Sequence, residues 1–166
     1  MNSKELLLAN LRLSQEMVLG LAEEMEECCL QFPTAGGGNH ALWIMGHLAR
    51  AEGTLVHELV MGLDNPLTGW VGLFGNDSQA VAEAGNYPPY GEVLKACRDL
   101  RADSIRFLEA MEESVLDEPT TRDIGEYFGA FDTKRHCFNM TAIHWLEHKG
   151  QLADIRRAAG MSPRFA

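Results

Sequence analysis

The stretch HWLEHKGQ at 144–151 sets His144 and His148 four residues apart. In a helix that spacing stacks two side chains on one face, one turn apart. Neutral imidazole is the commonest metal ligand among side chains, and such a pair converges on a single ion. At about 100° per residue, the seam carrying the pair reads Cys137, Thr141, His144, His148, Gln151, Ile155. Its four middle positions are polar. Burying a polar group without a partner costs on the order of 1–3 kcal/mol, so a polar seam centre needs either partner groups or an ion. A third imidazole is available in NHALWIMGHLARAE, where His47 shares a helix face with Trp43 and Ala51. Ala51 is small and leaves space beside the His47 ring. Three histidines from two helices would form a site open to water or substrate. The metal-free alternative is a core hydrogen-bond network of Thr141, His144, His148 and Gln151, with Gln151 orienting either a histidine or a ligand.

Other residues offer weaker chemistry. His57 and His136 fall off the inward faces and are expected at the surface. His40 is on the right face but two turns, about 10 Å, from His47, so it is expected at the bundle end. HWLEH also matches the inverted zinc-protease motif H-x-x-E-H. That reading fails because no glutamate follows His148 and Glu147 points about 100° away from it. No catalytic base can be assigned; Glu52 and Glu58 lie near the His47 helix without a role. Arg50, about 60° from His47 on the wheel, is the cation best placed for a carboxylate-bearing ligand. Trp70 and Phe74 read either as a pocket wall or lid, or as a cover for the bundle end. Cys28, Cys29, Cys97 and Cys137 form no CxxC pair and read as reduced, mostly buried thiols.

Four segments must position these groups. Leu7, Leu11, Ser14, Val18, Leu21, Met25 and Cys28 alternate by four and three, predicting a first helix over 3–30. Pro33 and the glycines at 36–38 end it. The second helix runs from an Asn39 cap to Met61. The third spans 90–115 on a seam of Val93, Cys97, Leu100, Ser104, Phe107 and Met111. The fourth starts at Asp132 or Thr133 and ends near Gly160. Nothing alternates with period two, so the fold is all-α: a four-helix bundle in one domain over 1–166. The connection 62–89 is long enough to cross the bundle and let the second and third helices run parallel. A short helix is expected within it at NDSQAVAEA. A second long loop covers 116–131. The net charge of −10 opposes nucleic acid or anionic membrane as a partner. Arg135, Lys149, Arg156 and Arg157 read as a solvated face. No apolar run reaches the roughly 18 residues of a membrane span, and the N-terminus lacks a secretory pattern, so the expected location is cytoplasmic.

Taken together these stretches resemble the DinB-like family of metal-binding four-helix bundles. The resemblance lies in NHALWIMGHLARAE, with Trp43 four residues before His47. It also lies in TAIHWLEHKGQLADIRRAAG, with the histidine pair, Gly150, Gln151, Leu152 and the basic pair Arg156 and Arg157. YPPYGEVLKACRDLR is similar to the start of the family's third helix. The resemblance implies an up-down-down-up bundle, a divalent metal such as zinc or nickel on His47, His144 and His148, and a homodimer. It implies either thiol-dependent transfer with a low-molecular-weight thiol or hydrolysis of a small molecule. The alternative is a non-catalytic metal-binding or dimerisation module whose metal is structural or absent.

Overall fold

The computed structural model describes residues 2–122 and 130–164. Among them the regular elements are helical: α1 (Ser3–Ala22), α2 (Ala41–Glu52), α3 (Val71–Phe74), α4 (Tyr90–Ala110) and α5 (Lys134–Ala158). The protein is an all-α bundle. Extended pairing is confined to the isolated bridges Thr34–Gly37 and Pro119–Thr133.

Local chemistry sets the helix ends. Asn2 opens α1 with a capping box: its side chain accepts from the Glu5 amide, and the Glu5 carboxylate accepts from the Asn2 amide. The helix stops at Ala22, short of the expected residue 30, and a 3-10 turn follows at Glu26–Cys28. Glu23, Glu24, Glu26 and Glu27 explain this, because carboxylates oppose the negative end of a helix dipole. α2 is capped by His40 and not by Asn39. The His40 Nδ1 accepts from the Trp43 amide at 3.1 Å, and its Nε2 donates to the Val81 carbonyl at 2.9 Å. Thr133 caps α5 by accepting from the His136 amide. Gly160 follows α5 with φ +73°, a conformation that suits glycine. The third helix ends at Ala110, not 115, and a 3-10 turn at Glu113–Asp117 takes over.

Beyond Glu52 the second helix continues as a π-helical stretch, Gly53–Val60. A π turn takes in one more residue than an α turn, so wheel positions beyond Glu52 drift. His57 is accordingly buried, against Phe107 and 3.4 Å from Asp103, where a surface position was expected. His136 is exposed. At the junction Gly53 touches Asn65: a Cβ there would lie 2.3 Å from the Asn65 amide oxygen. Asn65 donates to the Arg50 carbonyl and the Thr54 hydroxyl, and accepts from the Leu67 amide.

The crossover carries its short helix upstream of the expected place. A turn at Thr68–Trp70 leads into α3, while 76–83 forms no helix. Ser78, within that stretch, instead serves the end of α3. Its hydroxyl lies 2.8 Å from the Gly75 carbonyl and accepts from the Trp43 indole at 3.0 Å.

Contacts at both ends of each helix pair define the packing. Lys4 reaches the Glu109 carbonyl while Tyr90 donates to Ala22, so α1 and α4 run in opposite senses. Cys97 donates to Met45 and Arg101 to Glu52, so α2 and α4 run in the same sense. Ser3 meets Arg135 and Arg156 donates to Leu21, so α1 and α5 also agree in sense. Arg156 is thus buried in the α1–α5 seam, paired with Glu24, and is not part of a solvated face. All of Ala41–Ala49 is buried, as a helix apolar all round should be, because α3 covers its outer side.

Candidate metal centre

α2 and α5 bring His47, His144 and His148 together, with one ligating nitrogen from each lying within 4.8 Å of the others. The His144 Nε2 is 3.2 Å from the His47 Nε2 and 3.1 Å from the His148 Nε2. The outer nitrogens decide the tautomers. His47 Nδ1 donates to the Phe74 carbonyl at 2.9 Å, and His148 Nδ1 donates to the Gln151 amide oxygen at 3.1 Å. A neutral imidazole carries one N–H. Both inner nitrogens, on His47 and His148, therefore present lone pairs. His144 can point one N–H at only one of them well. Three imidazole nitrogens thus crowd together with at least one lone pair facing another ring without a hydrogen between them. A proton would relieve this, but burial opposes it first and the neighbouring imidazoles second. Together they hold His144 down to about 3 and His47 below the usual histidine value, while burial alone lowers His148 against the raising effects of Gln151 and Glu147. Three neutral nitrogen donors in one buried cluster are compatible with a divalent cation.

Neighbouring residues hold the His47 and His148 rings in place. Trp43 stacks on His47, centroids 4.8 Å apart and planes 8° from parallel. The Phe74 carbonyl reaches His47 because Gly46 lets the Phe74 ring lie flat on α2. A Cβ at Gly46 would lie 2.4 Å from that ring. Gln151 is exposed, where the seam opens, and its amide fixes the His148 ring. Such partners orient a ligand and raise its basicity. Thr141 is buried too, but its hydroxyl donates to the Cys137 carbonyl one turn back, and it does not line the pocket described below.

His47 and His144 open onto a pocket of about 350 Å³. Ala51 and Leu55 from the second helix, Met140 from α5, and Phe131 form its apolar wall; Arg50, Thr54 and Asn76 are its polar members beside the histidines. Trp70 and Phe74 are absent from the lining. Phe74 is fully buried between Gly46, Trp70 and Tyr87. Its contribution is the backbone carbonyl, which no side-chain pattern announces. Gly46, one residue before His47, was the available signal for a close approach. Glu52 and Glu58 are outside the pocket lining.

A family model for the DinB superfamily matches residues 10–152, a span containing all three histidines and Gln151. The chain belongs to the DinB superfamily. No curated protein matches it. As a DinB-superfamily member it combines the helical bundle with a histidine cluster at the bundle's open side. No helix among the described residues is long and apolar enough to cross a membrane. Its cysteines are free, Cys97 and Cys137 buried and Cys28 and Cys29 half-buried. Burial pushes the Cys137 thiol up to about 12 and also raises the other three, so none is poised as a nucleophile.

Proposed function

We propose that His47, His144 and His148 hold one divalent cation and that the protein is an enzyme acting on a small molecule in the adjoining pocket. The observation that carries this is the meeting of three Nε2 atoms, with the outer nitrogens of His47 and His148 already spent on Phe74 and Gln151. A cation held by three neutral imidazoles retains its full charge and supplies Lewis acidity to a water or thiol beside it. Zinc and nickel both suit the donor set.

Thiol-dependent transfer is the reading we favour over hydrolysis. Activating water for hydrolysis calls for a proton acceptor, and no Asp or Glu is among the described lining residues. A thiol, with a solution pKa of about 8.5, ionises without one. The residues then divide the work. The three histidines hold the cation, Gln151 and the Phe74 carbonyl keep two rings oriented, and Leu55, Met140 and Phe131 exclude water from the substrate's apolar part. The same reading takes 1–166 as one up-down-down-up domain, supported by the helix senses and by the length of the family match. It places the protein in the cytoplasm, supported by the free cysteines. It makes the protein a homodimer, supported by Leu6 and Leu13 on α1 and Ile143 and Leu146 on α5, all large apolar side chains left exposed.

Elemental analysis of the purified protein beside His144→Ala tests the metal. About one divalent ion per chain, lost in the variant, is expected. Absence of metal after incubation with zinc and nickel would leave the cluster as a core network. Turnover of an electrophile with and without added thiol then tests the reaction class, and activity independent of thiol would remove the transferase reading.

A further inference from the structure

Arg50 is the exception among this protein's arginines. Every other arginine in the described residues has a carboxylate partner. Arg50 has none among the described residues, although the chain carries 24 acidic residues against 14 basic ones. It lines the pocket one turn along α2 from His47, and its Nε is buried without a hydrogen-bond partner. Leaving such a donor unsatisfied is costly, and a charged one more so. Asn76, from the loop after α3, adds a second polar side chain to the lining, and no acidic side chain is among the described lining residues. Thr54 and the two histidines aside, the rest of the wall is apolar. The described lining therefore carries one cationic side chain, no acidic one, and an apolar wall of Ala51, Leu55, Phe131 and Met140, in a protein that is negative overall.

We propose that this pocket takes a small amphiphilic carboxylate, with Arg50 as the residue that selects the anionic group. The ligand's carboxylate pairs with the Arg50 guanidinium beside Asn76, and its apolar body lies against Leu55, Met140 and Phe131. Its far end is thereby directed at His47 and His144. A single guanidinium, with its planar fork, matches one monoanionic carboxylate. A dianionic phosphate would retain a second, unmatched charge. The inference rests on the metal reading for what the ligand's far end meets, but the Arg50 contact itself does not depend on a cation.

The test uses butyrate and its neutral isostere butyramide, titrated into the protein by NMR chemical-shift perturbation. Wild type, Arg50→Gln and Arg50→Lys are compared, each zinc-loaded and chelator-treated. Butyrate should bind wild type about tenfold more tightly than butyramide, the scale of a hydrogen bond to a charged group. Arg50→Gln should abolish that preference and Arg50→Lys should retain part of it, in both metal states. Equal binding of the two probes would overturn the proposal. So would a butyrate preference that persists in Arg50→Gln and vanishes with the chelator, because the carboxylate would then be meeting the cation. Tighter binding of ethyl phosphate than of butyrate would overturn the assignment to carboxylates. If the protein takes up no zinc yet keeps an Arg50-dependent preference, the metal reading fails and this one stands.

Discussion

Glu52 and His47 lie five residues apart on the second helix, and each belongs to a polar cluster in the interior. Around Glu52 the two charged groups are matched to each other. Arg101 binds its carboxylate with two parallel hydrogen bonds of 2.7 and 3.0 Å, and its remaining nitrogen donates to the Leu11 carbonyl and the Ser14 hydroxyl. Trp145 covers the guanidinium at 4.0 Å. The pair is fully buried and all four long helices contribute. Around His47 the cluster is open on one side, and its central nitrogens face one another instead of matched donors and acceptors. The two clusters even share neighbouring residues, since Trp145 follows His144. A satisfied buried network ties helices into one arrangement. An unsatisfied one beside a pocket is poised for something that arrives from outside.

The contrast breaks most sharply at Arg101. Arg101→Ala strands the Glu52 carboxylate and should cost about 3–5 kcal/mol of stability in urea denaturation. A loss under 1 kcal/mol would mean that water reaches Glu52. By comparison, His144→Ala should leave the metal-free protein's urea midpoint nearly unchanged, because it removes a crowded ring.

Gly46→Ala should have the next largest effect. It drives a methyl group into the Phe74 ring and should cost about 1–3 kcal/mol. It also shifts the Phe74 carbonyl from His47, so metal affinity should fall together with stability. Unchanged metal affinity would show that Phe74 does not orient the ring.

Gln151→Ala should weaken metal binding by about 10- to 100-fold in a chelator competition, the usual cost of losing a ligand's orienting partner. Because Gln151 is exposed, the metal-free protein should unfold at the wild-type denaturant concentration.

The smallest effect is expected at His40 and concerns pH. Burial holds its pKa below the ordinary 6.5. Unfolding therefore gains a proton below 6.5, so this contribution to stability is complete above that value and declines as pH falls toward the depressed one. Protonation would also remove the Nδ1 lone pair that caps α2. His40→Asn, whose amide oxygen caps at any pH, should lose less stability than wild type between pH 7 and pH 5. Equal losses would assign the acid sensitivity elsewhere.

Much of this arrangement is legible in the residues themselves. Period and caps place four long helices, because an amphipathic face must be buried and a cap must satisfy free amides. The spacing of His144 and His148 puts both on one face whatever surrounds them, and Trp43, His47 and Ala51 follow from the same arithmetic. That arithmetic fails where backbone geometry changes. The π-helical stretch after Glu52 carries His57 inward, and the run of glutamates ends α1 early. The segment 123–129, inside the expected second loop, lies outside the described residues.

The sequence alone determined the helices and which imidazoles share a face, since both depend on repeats within one segment. Only the tertiary structure decided that His47 meets His144 at 3.2 Å, that the Phe74 carbonyl fixes its tautomer, and that Glu52 is spent on Arg101 while Arg50 has no carboxylate partner among the described residues. Those outcomes depend on which segments lie against each other. A backbone carbonyl is common to every residue, and a charge pattern in one dimension does not reveal its partner in three.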